Sequence, residues 1–178
     1  MVIWITGLPG AGKTTIAKQL LNTLQSQNLH ANLLDGDELR SVLDNPGYDK
    51  ESRQKLAYVY SGLANLIASQ NTIAIVATVA MFDEVRDWNR ANIDNYLEVF
   101  VKVSDDDLLK RNKNNLYSKS NKKSNVYGKD IPIQLPKQPD LVIENSNQSS
   151  IYKHVDAIVS SFRLANTKKE HAKTLWQA

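Results

Sequence analysis

Close to the N-terminus, Gly7-Leu8-Pro9-Gly10-Ala11-Gly12-Lys13-Thr14 satisfies the pattern G-x-x-x-x-G-K-[ST]. The residues on either side complete a strand–loop–helix unit. Val2–Thr6 reads as a short apolar strand, and residues 13–28 place Ile16, Ala17, Leu20, Leu21 and Leu24 on one face at helical spacing. Glycines let such a loop turn its N–H groups inward around phosphate oxygens, and the helix N-terminus adds a favourable dipole. Lys13 would reach the β- and γ-phosphates, and the Thr14 hydroxyl would ligate Mg²⁺. Gly7, Leu8, Pro9, Gly10, Ala11, Gly12, Lys13, Thr14 and Thr15 are therefore candidate contacts of a nucleoside triphosphate, with Mg²⁺ as its expected companion.

The pattern beyond this unit alternates short apolar runs with longer amphipathic ones, the mark of βαβ units. Strands are predicted at 31–34, 72–79, 96–103 and 141–144, and helices at 51–69, 83–95, 105–113 and 149–164. The expected fold class is α/β: a P-loop NTPase fold with a parallel five-stranded sheet, helices on both faces and a lid segment. With 178 residues, 42% of them hydrophobic and 23% charged, one domain is expected over 1–165, followed by a polar tail over 166–178 that carries Trp176. Residues 114–138, rich in Asn, Lys, Ser and Pro, read as a loop or lid. Basic residues concentrate between Lys110 and Lys129, as either a solvated loop or a segment closing over a polyanion.

Zero cysteines exclude a disulfide framework, a thiolate nucleophile and Cys-ligated metals. No run of about 18 apolar residues is present, and the first ten residues lack a signal peptide's basic start, so a cytoplasmic protein is expected. A net charge of +3 is too mild to indicate nucleic acid, and neither nucleic acid nor membrane is an expected partner.

Guanine-recognition signatures are missing, since Asn112-Lys113-Asn114-Asn115 lacks the final Asp. Carboxylates follow the second strand, as Asp35 and Asp37. On the phosphate side of an open parallel sheet, strand ends line the crevice. Asp37 is thus the candidate catalytic base beside the γ-phosphate, and Asp35 a candidate for holding Mg²⁺ through water. The alternative for Asp35-Gly36-Asp37 is a turn that caps the next helix.

The P-loop, the Leu34-Asp35-Gly36-Asp37-Glu38-Leu39-Arg40 segment, Gly47-Tyr48 with Arg53, Arg86, Arg111, Leu116-Tyr117-Ser118-Lys119, and Gly128, Asp130 and Pro132 in that order resemble the adenylylsulfate kinase family. That resemblance implies transfer of the γ-phosphate of ATP to the ribose 3′-hydroxyl of a nucleotide phosphoanhydride. It places Asp37 at the 3′-hydroxyl, Arg40 and Arg53 at the anionic end of the acceptor, Lys119 in the lid, and Arg111 against the ATP base. It also implies a homodimer. For Arg86 the alternative is a surface ion pair.

Departures from the family pattern cluster on the acceptor side. Glu38 stands where the family has Asn, Leu56-Ala57-Tyr58-Val59 replaces Asn-Ile-Arg-Arg, and Val79-Ala80-Met81 replaces Ile-Ser-Pro. Val126-Tyr127 stands in place of the lid Phe, with Tyr127 able to restore part of the stacking. The acceptor is therefore expected to differ. Through Met81-Phe82-Asp83-Glu84-Val85-Arg86 and Trp88-Asn89-Arg90 the chain is similar to a divergent branch, the cytidine diphosphoramidate kinases of bacterial capsule modification. The alternative is an adenylylsulfate kinase making 3′-phosphoadenylylsulfate in sulfate assimilation. A nucleotide-binding module without transfer and a polynucleotide 5′-kinase fit the residues less well, given Lys13, Thr14 and Asp37 and the lack of a basic, aromatic-interleaved stripe.

Overall fold

The computed structural model describes residues 1–44, 47–111 and 132–175, with side chains through residue 164. Its five strands are β1 (Val2–Thr6), β2 (Ala31–Asp35), β3 (Ile73–Ala77), β4 (Tyr96–Lys102) and β5 (Leu141–Glu144). They form one parallel sheet in the order β2-β3-β1-β4-β5. The helices are α1 (Lys13–Ser26), α2 (Gly36–Val42), α3 (Lys50–Ser69), α4 (Asp83–Asn92), α5 (Asp105–Arg111) and α6 (Ile151–Leu175). All five strands predicted from the sequence are present, shifted at their ends by at most a few residues, and the α/β fold class is as expected. Among the described residues no helix is long and apolar enough to cross a membrane.

β1 is fully buried, so its side chains must satisfy two cores at once. Ile3 and Ile5 face α1 and α6, meeting Ile16, Leu20, Ile158 and Phe162. Val2 and Trp4 face the opposite side, meeting Leu56, Tyr60 and Ala64 of α3 and Val85 of α4. The alternation follows from the two-residue period of a strand, and it places helices on both faces.

Two helices differ from the sequence reading. α2 is a short helix started by the Asp35 side chain, which accepts from the N–H groups of Asp37 and Glu38. α6 runs to Leu175, well past residue 164 and through most of the expected tail. Of the expected lid 114–138, residues 114–131 lie outside the described residues. Residues 132–140 form an irregular strap laid along α4.

That strap is held by a buried charge network. Arg86, with a side chain only 5% exposed, donates to Asp83 and to the carbonyl oxygens of Gln134 (2.7 Å) and Leu135. Gln134 in turn accepts from the Asp83 N–H at 2.8 Å. Arg90 pairs with Glu98 at 2.7 Å and Asp140 at 3.3 Å, and it donates to the Gln138 carbonyl. Asp140 also accepts from the Glu98 N–H at 2.7 Å. Arg86 is thus no surface ion pair. It is a buried cation whose partners come from α4, β4 and the strap, and its removal would leave Glu98 with Arg90 as its remaining described cation.

Two stability outcomes follow. Glu98→Ala leaves Arg86 buried without its β4 partner and is expected to cost about 3–5 kcal/mol in urea unfolding. Glu144→Ala, which removes only an exposed pair with Lys102, should cost less than about 1 kcal/mol. Asp83 is held below its ordinary value of 3.8, first by Lys137 and then by Arg86, against the opposing effect of burial. Its contribution is present above that value and is lost as pH falls through the lower folded one. Asp83→Asn should therefore flatten the acid limb of the stability–pH profile, measured as unfolding midpoints below about pH 4.

Candidate nucleotide and acceptor site

The loop between β1 and α1 is shaped by two close approaches. A Cβ on Gly7 would sit 2.5 Å from the Val101 carbonyl oxygen on β4, so only glycine lets the chain leave the sheet there. Gly12, at φ +94°, begins α1 in a left-handed conformation and offers no side-chain cap. The first-turn N–H groups of α1 therefore face the loop interior without a side-chain oxygen, and no acidic residue occupies that turn. This is the arrangement that attracts an anion.

Lys13 is buried, and its Nζ donates to the Leu8 carbonyl at 2.9 Å, folding the ammonium group back over the loop. The Ala11 N–H donates to the same carbonyl at 3.0 Å. The Thr14 hydroxyl donates to Asp35 Oδ2 at 2.7 Å, while Asp35 Oδ1 accepts from the Asp37 N–H at 2.9 Å. Asp35 thus caps α2, as the turn-and-cap reading expected, and its other oxygen stands beside the Thr14 hydroxyl. Together they present hard oxygen donors that suit Mg²⁺, an ion that takes few protein ligands and draws the rest from phosphates and water.

Asp37 lies exposed on the first turn of α2, at the crevice end of β2. Tyr60 of α3, which the sequence reading did not single out, steadies that turn by donating to the Gly36 carbonyl at 3.0 Å. Burial pushes its phenol up to about 12, so it remains a neutral donor at ordinary pH. Glu38, the carboxylate in place of the family's Asn, is exposed and lies 3.6 Å from Lys18 of α1.

Arg40 and Arg53 are brought together on one aromatic ring. Their guanidinium carbons lie 4.7 and 5.3 Å from the Tyr48 ring centroid. Arg40 also donates to the Gly47 carbonyl, and Arg53 Nε donates to the Tyr48 carbonyl at 2.6 Å. In the segment that replaces Asn-Ile-Arg-Arg, Leu56 and Ala57 are core residues of α3, whereas Tyr58 and Val59 are exposed. Tyr58 meets Trp88 of α4 edge to face at 6.2 Å. Lys119 and Tyr127 lie outside the described residues.

On the other flank a cavity of about 400 Å³ opens beside the loop, lined by Gly12, Lys13, Thr15, Arg111, Asn145 and His154 among others. That volume is within the range of small-ligand pockets. Arg111 is fixed in plane. Nε donates to Asn147 at 2.8 Å, Nη2 to the Asn145 carbonyl at 2.7 Å, and Nη1 to the carbonyls of Ala11 (3.2 Å) and Gly10 (3.4 Å). A guanidinium whose edge is engaged in this way keeps its flat faces for stacking. Asn145 and Asn147 were not legible as site residues, because no local pattern joins them to the loop.

The adenylylsulphate kinase family model matches residues 1–144. Cytidine diphosphoramidate kinase of Campylobacter jejuni subsp. jejuni serotype O:2 is 36% identical over 165 residues, covering 92% of this chain and 96% of that protein. Adenylyl-sulfate kinase of Pseudomonas aeruginosa strain PAO1 is 37% identical over 152 residues, covering 83% and 78%. Among solved structures, the APS kinase CysC of Mycobacterium tuberculosis in complex with AMPPNP and APS superposes with a TM-score of 0.83 at 29% identity, covering 91% of this chain and 96% of that one. The resemblance read from the motifs and the fold expected from them are both borne out, and the chain belongs to the adenylylsulphate kinase family of P-loop kinases.

Proposed function

We propose that the chain transfers the γ-phosphate of ATP to the ribose 3′-hydroxyl of cytidine diphosphoramidate, in the cytoplasm, for phosphoramidate modification of a capsular polysaccharide. The observation that carries this reading is the near-complete match to the Campylobacter jejuni enzyme, 92% of one chain against 96% of the other. It is supported by the acceptor-side surface, where the exposed pair Tyr58-Val59 stands in place of two arginines. Each lost charge-assisted hydrogen bond would weaken recognition of a sulfate anhydride by about 1.5–3 kcal/mol.

In this reaction the acceptor 3′-oxygen bonds to the γ-phosphorus as the bond to the β,γ-bridging oxygen breaks and ADP leaves. Asp37 takes the hydroxyl proton. The N–H groups of the P-loop and Lys13 hold the phosphates, with Lys13 swinging from the Leu8 carbonyl onto them. Thr14 and Asp35 would hold Mg²⁺, which when bound supplies charge neutralisation at the transferring phosphate. Arg40 and Arg53 bind the anionic end of the acceptor, and Arg111 stacks on the ATP base. Lys119 and Tyr127 are assigned to the acceptor by resemblance alone.

A second reading, adenylylsulfate kinase, is favoured by the 37% identity to the Pseudomonas aeruginosa enzyme. ADP release with Mg-ATP, offering both acceptors in parallel, separates the two. Turnover confined to the cytidine compound is expected, and efficient turnover with adenylylsulfate would overturn the proposed acceptor.

Lys13→Ala should abolish turnover in the same assay. Asp37→Asn is expected to lower kcat by about 10²–10⁴ with little change in ATP affinity. A wild-type kcat in Asp37→Asn would remove that carboxylate from the chemistry.

A further inference from the structure

We infer that Asn145, the residue just after β5, is a positioning residue for the donor nucleotide: it sets the direction in which the phosphate loop presents a backbone N–H. This rests on the reading of the loop as the ATP site.

Asn145 Nδ2 donates to the Ala11 carbonyl at 2.7 Å, across a sequence separation of 134 residues. Arg111 Nη1 reaches the same oxygen at 3.2 Å, and Arg111 Nη2 is itself held by the Asn145 carbonyl at 2.7 Å. The described chain has no cis peptide, so the Ala11 C=O and the Gly12 N–H are antiparallel in one plane. Drawing the carbonyl outward to Asn145 therefore turns the Gly12 N–H away from Asn145. In this proposal the N–H so turned is the one offered to a phosphate oxygen.

The fit is close enough to explain the glycine at this position. A Cβ on residue 12 would stand 2.6 Å from Asn145 Nδ2 and 3.8 Å from Arg111 Nη1. Gly12 thus supplies more than a left-handed φ, because its missing side chain is the space Asn145 occupies. Asn147 completes the bracket by accepting from Arg111 Nε and donating to Asp107 of α5 at 2.7 Å. The end of β5 and the end of α5 are in this way braced on the outer side of the loop, and Asn145 touches both Arg111 and the loop.

Asn145→Asp keeps the shape of the side chain but replaces its N–H donor with a carboxylate facing the Ala11 carbonyl. Titration calorimetry with AMPPNP and Mg²⁺ on the full chain is expected to show affinity at least about tenfold weaker than wild type. Steady-state kinetics should show a raised KM for ATP, with kcat and the acceptor KM within about twofold. A purely structural role would instead lower the urea midpoint and leave the affinity of the folded fraction unchanged. Should Asn145→Asp fail to fold, Asn145→Ala, which adds no charge, carries the same expectation. AMPPNP affinity within about twofold of wild type in a folded variant would overturn the proposal while leaving the ATP reading intact. A wild-type protein that binds no AMPPNP would overturn both.

Discussion

Asp35 sits where the sheet, the phosphate loop and the acceptor side meet, and its carboxylate is almost wholly buried. One oxygen accepts the Thr14 hydroxyl and the other starts α2. A buried carboxylate is costly unless its lone pairs are filled, and here they are filled by groups that must be placed relative to one another. The position of Asp37 on α2 is thereby tied to the position of Thr14 on α1. Tyr60, donating to Gly36, secures the same turn from α3. The spacing between the start of α1 and Asp37 is thus set by one side chain at the end of β2.

A second constraint works farther from the loop. Arg86 and Arg90 on α4, Glu98 on β4 and Asp140 on the strap neutralise one another in a largely buried cluster. Buried ion pairs of this kind add little net stability compared with apolar packing, but they are costly to break, so they specify geometry. Here they fix the path of residues 132–140 along α4, with Ile133 packed against the core that contains Phe82 and Val85.

Much of this was legible in the sequence where the signal is local. The glycine spacing of the loop, the apolar strands and the face of α1 are all written within short windows, and the structure follows them. Short-range patterns carried less where tertiary contact decides. α2 is too brief for a periodic signature and depends on a cap supplied from β2. α6 runs past the apolar face that ends near Leu164 because its polar continuation has no breaker, neither Gly nor Pro, to stop it. Arg86 read as a motif position with a surface ion pair as its alternative, since its burial comes from partners on β4 and a strap far along the chain. Asn145 was silent for the same reason: its meaning lies in a carbonyl at residue 11.

The strand order has an outcome for how such an enzyme can change. β1 lies at the centre, with β3 and β2 to one side and β4 and β5 to the other. Asp37, Arg40 and Arg53 belong to the β2–β3 side, as do Tyr58 and Val79-Ala80-Met81. Arg111, Asn145 and Asn147 belong to the β4–β5 side. In the proposed assignment the two substrates draw on opposite halves of one sheet, coupled through the loop and through Asp35. Under that assignment, substitutions in the first half that spare Asp35 can reassign what is phosphorylated while the donor-side contacts of Arg111 and Asn145 stay in place. Of the family's departures in this chain, Glu38, residues 56–59 and residues 79–81 fall in that half.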